Sequence, residues 1–234
     1  MEKTKNNIVE LEMNKSDYVA FAAKSVLGAV PFVGSFLAEI AGNVIPNQRV
    51  ERIVAFANNL QMKLKNVEEI LEKLNVKDEN FTDLIEEGLR QAARSTTDER
   101  REYISALIAN SLTSEDISFV ESKHLLRQLG EINDIEILWL RFFLVPTLGG
   151  DKEFREKHQA VLRPLSVVMG SPQPEIDKST LRTSYKEHLA TLGLLEKKIE
   201  LDTRGSDVKI KVKGYELSIL GRLLLRQIGI VETE

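Results

Sequence analysis

Three histidines, His124, His158 and His188, are the first candidates for chemistry in this chain, and they lie far apart in the sequence. A zinc site needs two or three such side chains to converge with carboxylates. Each histidine lies instead in a segment with helical periodicity, which favours a surface or helix-packing role. The chain has 234 residues and no cysteine, so thiolate ligands and disulfides are excluded. We predict no metal site and no cofactor.

Carboxylates and lysines near the C-terminus are a second candidate group. Metal-dependent nucleases hold their ions with strand carboxylates beside a lysine, and residues 195–213 contain both types. In a simple antiparallel register, however, the acidic and basic side chains share one face, and opposite charges across a hairpin stabilise it. Cross-strand charge pairing is therefore the favoured interpretation, and a nuclease is the alternative. The residues concerned are Glu196, Lys198, Glu200, Asp202, Asp207, Lys209, Lys211 and Lys213.

Other enzyme signatures are missing from the sequence. The chain has no P-loop, no dinucleotide-binding fingerprint, no His-Glu-x-x-His zinc motif and no nucleophile elbow. A hydrolase of another kind would need a polar pocket with converging carboxylates. The residues therefore predict a protein that is not an enzyme and has no small-molecule substrate.

Basic residues near the C-terminus are candidates for contacts with nucleic acid or with a partner protein. The net charge of the chain is −4. It is −6 over residues 1–149 and +2 over residues 150–234, so neither part is basic enough to indicate nucleic acid by charge alone. A winged helix that binds DNA uses a recognition helix and a basic wing. The candidate contacts are Lys178, Arg182, Lys186, Lys209, Lys211 and Lys213.

The elements that would carry these basic residues follow one another at the end of the chain. Residues 179–192 have helical periodicity. Apolar and charged residues then alternate over 195–201 and again over 208–213, with a polar turn between them. Two such runs predict a β-hairpin. A final helix has Gly229 as its C-terminal stop, and helix, hairpin, helix is the outline of a winged-helix module.

Residues 18–46 are strongly apolar, with Lys24 and Glu39 as their only charges and with Pro31 and three glycines as interruptions. This pattern predicts two short helices folded against each other. Neither half reaches the ~20 apolar residues that a transmembrane helix needs. Burial against the next helix is the favoured interpretation, and insertion at a membrane surface stays open. The side chains that would face a membrane or a partner are Phe21, Phe32 and Phe36.

The whole sequence predicts a mainly α fold, a multi-helix N-terminal bundle with a small C-terminal winged-helix-like module. The break at Pro146 to Gly150 coincides with the change in charge and marks the boundary. The N-terminus lacks the features of a secretion signal, which favours a cytoplasmic location, with membrane association left open. The predicted order is a polar arm (1–15), a helical domain (16–146) that includes the apolar hairpin (18–46) and a long amphipathic helix (47–74), and the winged-helix-like domain (151–234).

One region resembles a known family. Residues 100–112 read Arg-Arg-Glu-Tyr-Ile-Ser-Ala-Leu-Ile-Ala-Asn-Ser-Leu, and two helical patterns follow, the second with a capping box of Asn133 and Glu136. With Leu-Gly-Leu-Leu at 192–195 and the apolar tail at 218–224, residues 95–230 resemble bacterial Abi-alpha-like proteins, which are associated with phage abortive infection. Much of this pattern concerns packing, because Ala106 and Ala109 would let helices approach closely.

The resemblance implies a non-enzymatic interaction or effector protein of phage defence, which acts through helix packing on a protein partner or a homo-oligomer. It brings no catalytic residues. A DNA-binding regulator that uses the C-terminal module is the alternative hypothesis. The two differ in whether Arg182, Lys186 and the hairpin lysines form one exposed basic surface.

Overall fold

The computed structural model describes residues 34, 49–64, 78–113, 116–147, 150–165, 167–202 and 209–231. In these ranges the chain forms nine helices and one two-stranded antiparallel sheet near the C-terminus. The predicted fold class, mainly α with one β-hairpin, is therefore confirmed. None of the helices in the described part of the chain is long and apolar enough to cross a bilayer.

The helices are α1 (Val50–Lys63), α2 (Glu79–Arg94), α3 (Asp98–Thr113), α4 (Phe119–Glu131), α5 (Asp134–Phe142), α6 (Lys152–Lys157), α7 (Gln159–Leu162), α8 (Gln173–Thr191) and α9 (Ile219–Gln227). The strands are β1 (Leu195–Asp202) and β2 (Lys209–Leu217), which lie between α8 and α9. The predicted order of helix, hairpin and helix at the C-terminus is thus present.

The chain divides into two compact units, residues 1–101 and 102–234, and the division falls inside α3. The boundary predicted at Pro146 to Gly150 lies instead within the second unit. Contacts across that loop explain the difference, because α5 before it packs against α8 after it. The glycines and the proline mark a turn inside one core.

The N-terminal unit contains α1 and α2, which pack against each other through apolar faces. A hydrogen bond also joins the two helices: Arg52 Nη1 donates to the carbonyl oxygen of Ala93 at 3.2 Å. Asp78 caps α2 by accepting a hydrogen bond from the backbone N–H of Asn80. The fully buried side chains are Ile53, Phe56, Ala57, Phe81, Leu84, Ile85, Leu89 and Ala92.

The helix predicted over 47–74 is shorter in the structure. It ends at Lys63, where Leu64 adopts an extended backbone with φ −86° and ψ 116°. Neither glycine nor proline stands at this point, so the apolar periodicity gave no sign of the end. Residues 65–77, which include the rest of the predicted helix to residue 74, lie outside the described residues, and so do the polar arm and all of the 18–46 segment except Gly34.

The C-terminal unit is held together by close contacts between α3 and the end of α9. Asn110 Nδ2 donates a hydrogen bond to the carbonyl oxygen of Gln227 at 2.8 Å. Gly229 ends α9 with φ +76°, and a β-carbon there would lie 3.4 Å from the methyl group of Ala106. The predicted stop at Gly229 and the predicted role of Ala106 in close helix packing are both found.

A second close approach joins the start of α9 to the chain just before β1. A β-carbon on Gly221 would lie 2.2 Å from the carbonyl oxygen of Leu194. Ser218 caps α9, since its Oγ accepts the N–H of Gly221 at 2.9 Å and donates to the carbonyl oxygen of Gly193 at 2.7 Å. These contacts fix the hairpin at its base.

The hairpin itself contains a β-bulge. Lys198 lies opposite Gly214, whereas Ile199 lies opposite Val212, so Lys213 is an extra residue on β2. A bulge of this kind increases the local twist and redirects side chains. The bulge therefore determines which lysine pairs with which carboxylate on the charged face of the hairpin.

Candidate interaction surfaces

The predicted contact residues of α8 do not form a free basic row. Lys186 Nζ lies 4.2 Å from the ring centroid of Trp139, and the Arg182 guanidinium lies 6.0 Å from it. Arg182 also donates a hydrogen bond to the carbonyl oxygen of Arg163. Of the three predicted contact residues on α8, only Lys178 is exposed.

The electrostatics of these groups agree with their position against the core. Burial lowers the pKa of the Lys186 ammonium, and the nearby charge of Arg182 lowers it further. Burial also lowers the pKa of Arg182. Cations stacked over an indole gain a cation–π attraction that strengthens as water is removed. Arg182 and Lys186 therefore cover Trp139, which is only 4% exposed.

The histidines have separate environments. His188 Nδ1 lies 2.7 Å from Glu136 Oε1, and the other oxygen of this buried carboxylate accepts the N–H of Asn133 in the predicted capping box. His158 packs against a phenylalanine ring, and burial, with two neighbouring cations, lowers its pKa. His124 is exposed on α4. In the described ranges no three histidine or carboxylate side chains lie close enough together to hold a metal ion.

The charged side chains of the hairpin pair with each other. Lys213 Nζ lies 2.7 Å from Glu200 Oε1, and Lys198 Nζ lies 2.7 Å from Glu216 Oε2. Lys211 is exposed and stands opposite Glu200 in the register. The predicted cross-strand charge pairing is present, with partners displaced by the bulge. The side chain of Lys209 lies outside the described residues.

Glu187 on α8 anchors the hairpin to that helix. Its carboxylate pairs with Lys197 and accepts a hydrogen bond from the hydroxyl of Tyr215. These two hydrogen bonds lower the pKa of Glu187. Burial, together with the hydrogen bond to Glu187, raises the pKa of Tyr215 to about 12.

The opposite face of the hairpin is apolar and uncovered. Ile199, Ile210 and Val212 are 61%, 70% and 40% exposed, and we call them the hairpin apolar face. Ile199 stands opposite Val212, and Ile210 lies two residues before Val212 on the same side of β2. On β1 this is also the side of Leu195 and Lys197, which lie nearer the helices. The hairpin apolar face therefore lies on the same side of the strand pair as the residues that face the helices. It extends beyond the part of that side which α8 covers.

A groove lies between α4 and α9, and we call it the α4–α9 groove. Its cavity volume is about 550 Å³. Leu125, Leu220 and Leu223 line its apolar part together with Val120, which is 59% exposed. The charged lining residues are Asp116 and Glu121 from the α4 side and Arg226 from the α9 side, with His124 beside them.

Comparison with known proteins adds no relative. No protein-family model, no curated protein and no solved structure matches the chain.

The two surfaces differ in how far sequence could indicate them. The alternation in 195–201 and 208–213 already placed apolar residues on one side of the hairpin, but it did not show that the side is uncovered. The groove had no signal in the sequence, because α4 and α9 are about 90 residues apart and each is an ordinary amphipathic helix. Phe21, Phe32 and Phe36, the other predicted contact residues, lie outside the described residues.

Proposed function

We propose that this protein acts by binding a protein partner, as a non-enzymatic effector of bacterial defence against phage, and that the hairpin apolar face is one of its contact surfaces. The observation that carries the proposal is the exposure of Ile199, Ile210 and Val212 together on one side of a strand pair. Exposed apolar side chains that adjoin one another are typical of surfaces that a partner covers. Their branched side chains are also rigid, so little side-chain entropy is lost on binding.

The charges of the C-terminal unit favour protein over DNA as the partner. Binding to duplex DNA depends on lysines and arginines that are free to neutralise phosphates. Lys198 and Lys213 are each paired with a carboxylate of the hairpin. Arg182 and Lys186 lie over Trp139. The basic groups that the DNA-binding hypothesis needs are thus largely engaged within the unit.

The assignment to phage defence is supported by the resemblance of residues 95–230, which includes the segment 100–112, and by the glycine-interrupted apolar segment at 18–46. Within residues 100–112 Asn110 holds α9 and Ala106 permits its close approach, which are packing roles. Association with a membrane through residues 18–46 remains the alternative to their burial, and it too rests on the sequence.

Phage challenge of a bacterial host that expresses the protein tests the proposal. Replacing Ile199, Ile210 and Val212 by threonine removes the apolar face and keeps the β-branched shape that strands prefer. We expect the wild type to lower phage plating efficiency and the triple variant to lose that protection. The thermal midpoint should hardly change, because all three side chains are exposed.

The matched control replaces exposed cations instead. Lys178→Thr with Lys211→Thr changes two exposed lysines that lie away from the apolar face, and this variant should protect like the wild type. Full protection by the triple variant would overturn the role of the hairpin. Loss of protection in the lysine variant, together with a salt-dependent shift of random duplex DNA by the wild type, would favour the DNA-binding regulator. No protection by the wild type would remove the defence assignment.

A further inference from the structure

The α4–α9 groove is lined mostly by apolar side chains. Leucines from both helices line it, and one further apolar lining side chain, Val120, is 59% exposed. Burying such side chains under a second apolar surface removes them from water and is favourable. The groove is separate from the hairpin apolar face, so an occupant here would be a second contact of the protein.

Charge is distributed unequally across the groove. Glu121 lies on the α4 side, and its carboxylate is fully exposed although it takes part in the capping box of Ser118. Arg226 lies on the α9 side with Arg222 one helical turn before it, and both are exposed. Among the described residues neither arginine forms an ion pair. One side of the groove is therefore acidic and the other is basic.

We propose that a second copy of this chain occupies the α4–α9 groove, related to the first by a two-fold axis that runs along the groove. Such an axis lays α4 of one copy against α9 of the other, twice. Glu121 of each copy then meets Arg226 of its partner, and the apolar linings of the two grooves close over each other. An axis across the groove would instead place α4 on α4, where like charges repel. The charge distribution selects the first arrangement, which is a self-complementary, closed interface.

Sedimentation equilibrium of the full chain tests this arrangement. We expect the wild type to form dimers in a concentration-dependent way, and the dissociation constant to rise with salt because the ion pairs lie at the margin of the contact. Arg226→Glu should raise the dissociation constant by about tenfold or more, since it places like charges opposite each other. Arg127→Glu is the matched control. It makes the same change of charge at an exposed position of α4 that does not line the groove.

Mixing two variants gives the decisive result. Glu121→Lys alone should also weaken the dimer, but an equimolar mixture with Arg226→Glu restores both ion pairs, one with exchanged signs and the other with its native signs. We therefore expect the mixed dimer to be about as tight as the wild type. Glu121→Lys removes a capping-box carboxylate, so its folding is checked by circular dichroism. If Glu121→Lys does not fold, Val120→Lys takes its place in the mixture. It adds a positive charge at the neighbouring position without removing a capping residue.

Three outcomes would overturn the proposal. The first is a wild type that stays monomeric at several hundred micromolar and low salt. The second is equal weakening by Arg127→Glu and Arg226→Glu. The third is a mixture of the two variants that associates no better than either variant alone. None of these bears on the hairpin, so the dimer and the proposed function can fail separately.

Discussion

At the scale of single residues, the backbone contacts of glycines determine how the C-terminal unit closes. Gly221 brings the first turn of α9 against the carbonyl group of Leu194, with no space for a side chain. Gly229 allows α9 to end in the left-handed conformation beside Ala106. Both positions serve packing, and neither belongs to a surface that we propose for binding.

Replacing Gly221 by alanine should destabilise the protein strongly. The new β-carbon would lie 2.2 Å from a backbone oxygen that cannot move aside like the end of a flexible side chain. Overpacking of this kind costs roughly 2–3 kcal/mol. Urea unfolding measures the effect. Gly214→Ala is the control, because a β-carbon there meets no atom within 4 Å, and we expect almost no change. Equal stability of the two variants would contradict the close approach of α9.

At the scale of elements, the hairpin is held at its base by Glu187 of α8. The carboxylate receives two hydrogen bonds, from Lys197 on β1 and from Tyr215 on β2. The remainder of the hairpin extends past the helix, so its apolar face is uncovered. Its lysines pair with glutamates of the hairpin itself. The cationic groups of Arg182 and Lys186, on the same helix, lie over the ring of Trp139. The order of helix, hairpin and helix is thus present, while most of the predicted basic contact residues form contacts within the unit.

This anchor predicts how stability depends on pH. The hydrogen bonds lower the pKa of Glu187 in the folded protein below its usual value of 4.5. Its contribution is therefore fully present above pH 4.5 and is lost as the pH falls through the lowered, folded-state pKa. We expect the thermal midpoint of Glu187→Gln to fall less steeply with acid than that of the wild type. Glu153→Gln, at an exposed carboxylate outside the hairpin, should follow the wild-type curve. Parallel curves for wild type and Glu187→Gln would argue against the anchor.

At the scale of the whole molecule, the chain divides into two compact units, and the division falls within α3. The loop at 146–150 looked like a domain boundary because proline and glycines coincide there with a change in charge. The contacts of Glu136 with His188 and of Trp139 with Lys186 cross that loop. Composition along the chain carries no information about contacts between distant segments. The boundary between the two units therefore could not be located from composition.

Liposome binding tests the remaining expectation about the whole molecule. Lys24, Pro31 and Glu39 interrupt the apolar segment at 18–46, so we expect the full chain to stay in the supernatant with anionic vesicles and to release no trapped dye. Sedimentation with the vesicles or dye release would instead support membrane association. In that case Phe32→Lys should abolish it, while Phe81→Leu, which changes a buried aromatic residue of α2, should not.

The sequence by itself determined the types and order of the described elements near the C-terminus. Helical period, strand alternation, the capping box of Asn133 and Glu136 and the stop at Gly229 depend on residues within a few positions of one another. Hydrogen bonds and side-chain spacing at that range are set by the local chain. The same local rules did not reveal the end of α1 at Lys63.

Only the tertiary structure decided which surfaces are available. The direction of Arg182 and Lys186, the shift of register at Lys213, the uncovered face of Ile199 and the groove between α4 and α9 all depend on segments distant in sequence. Whether a side chain is covered is set by what packs on it from elsewhere in the chain. The candidate contacts could therefore be named from the sequence, but their exposure and pairing could not.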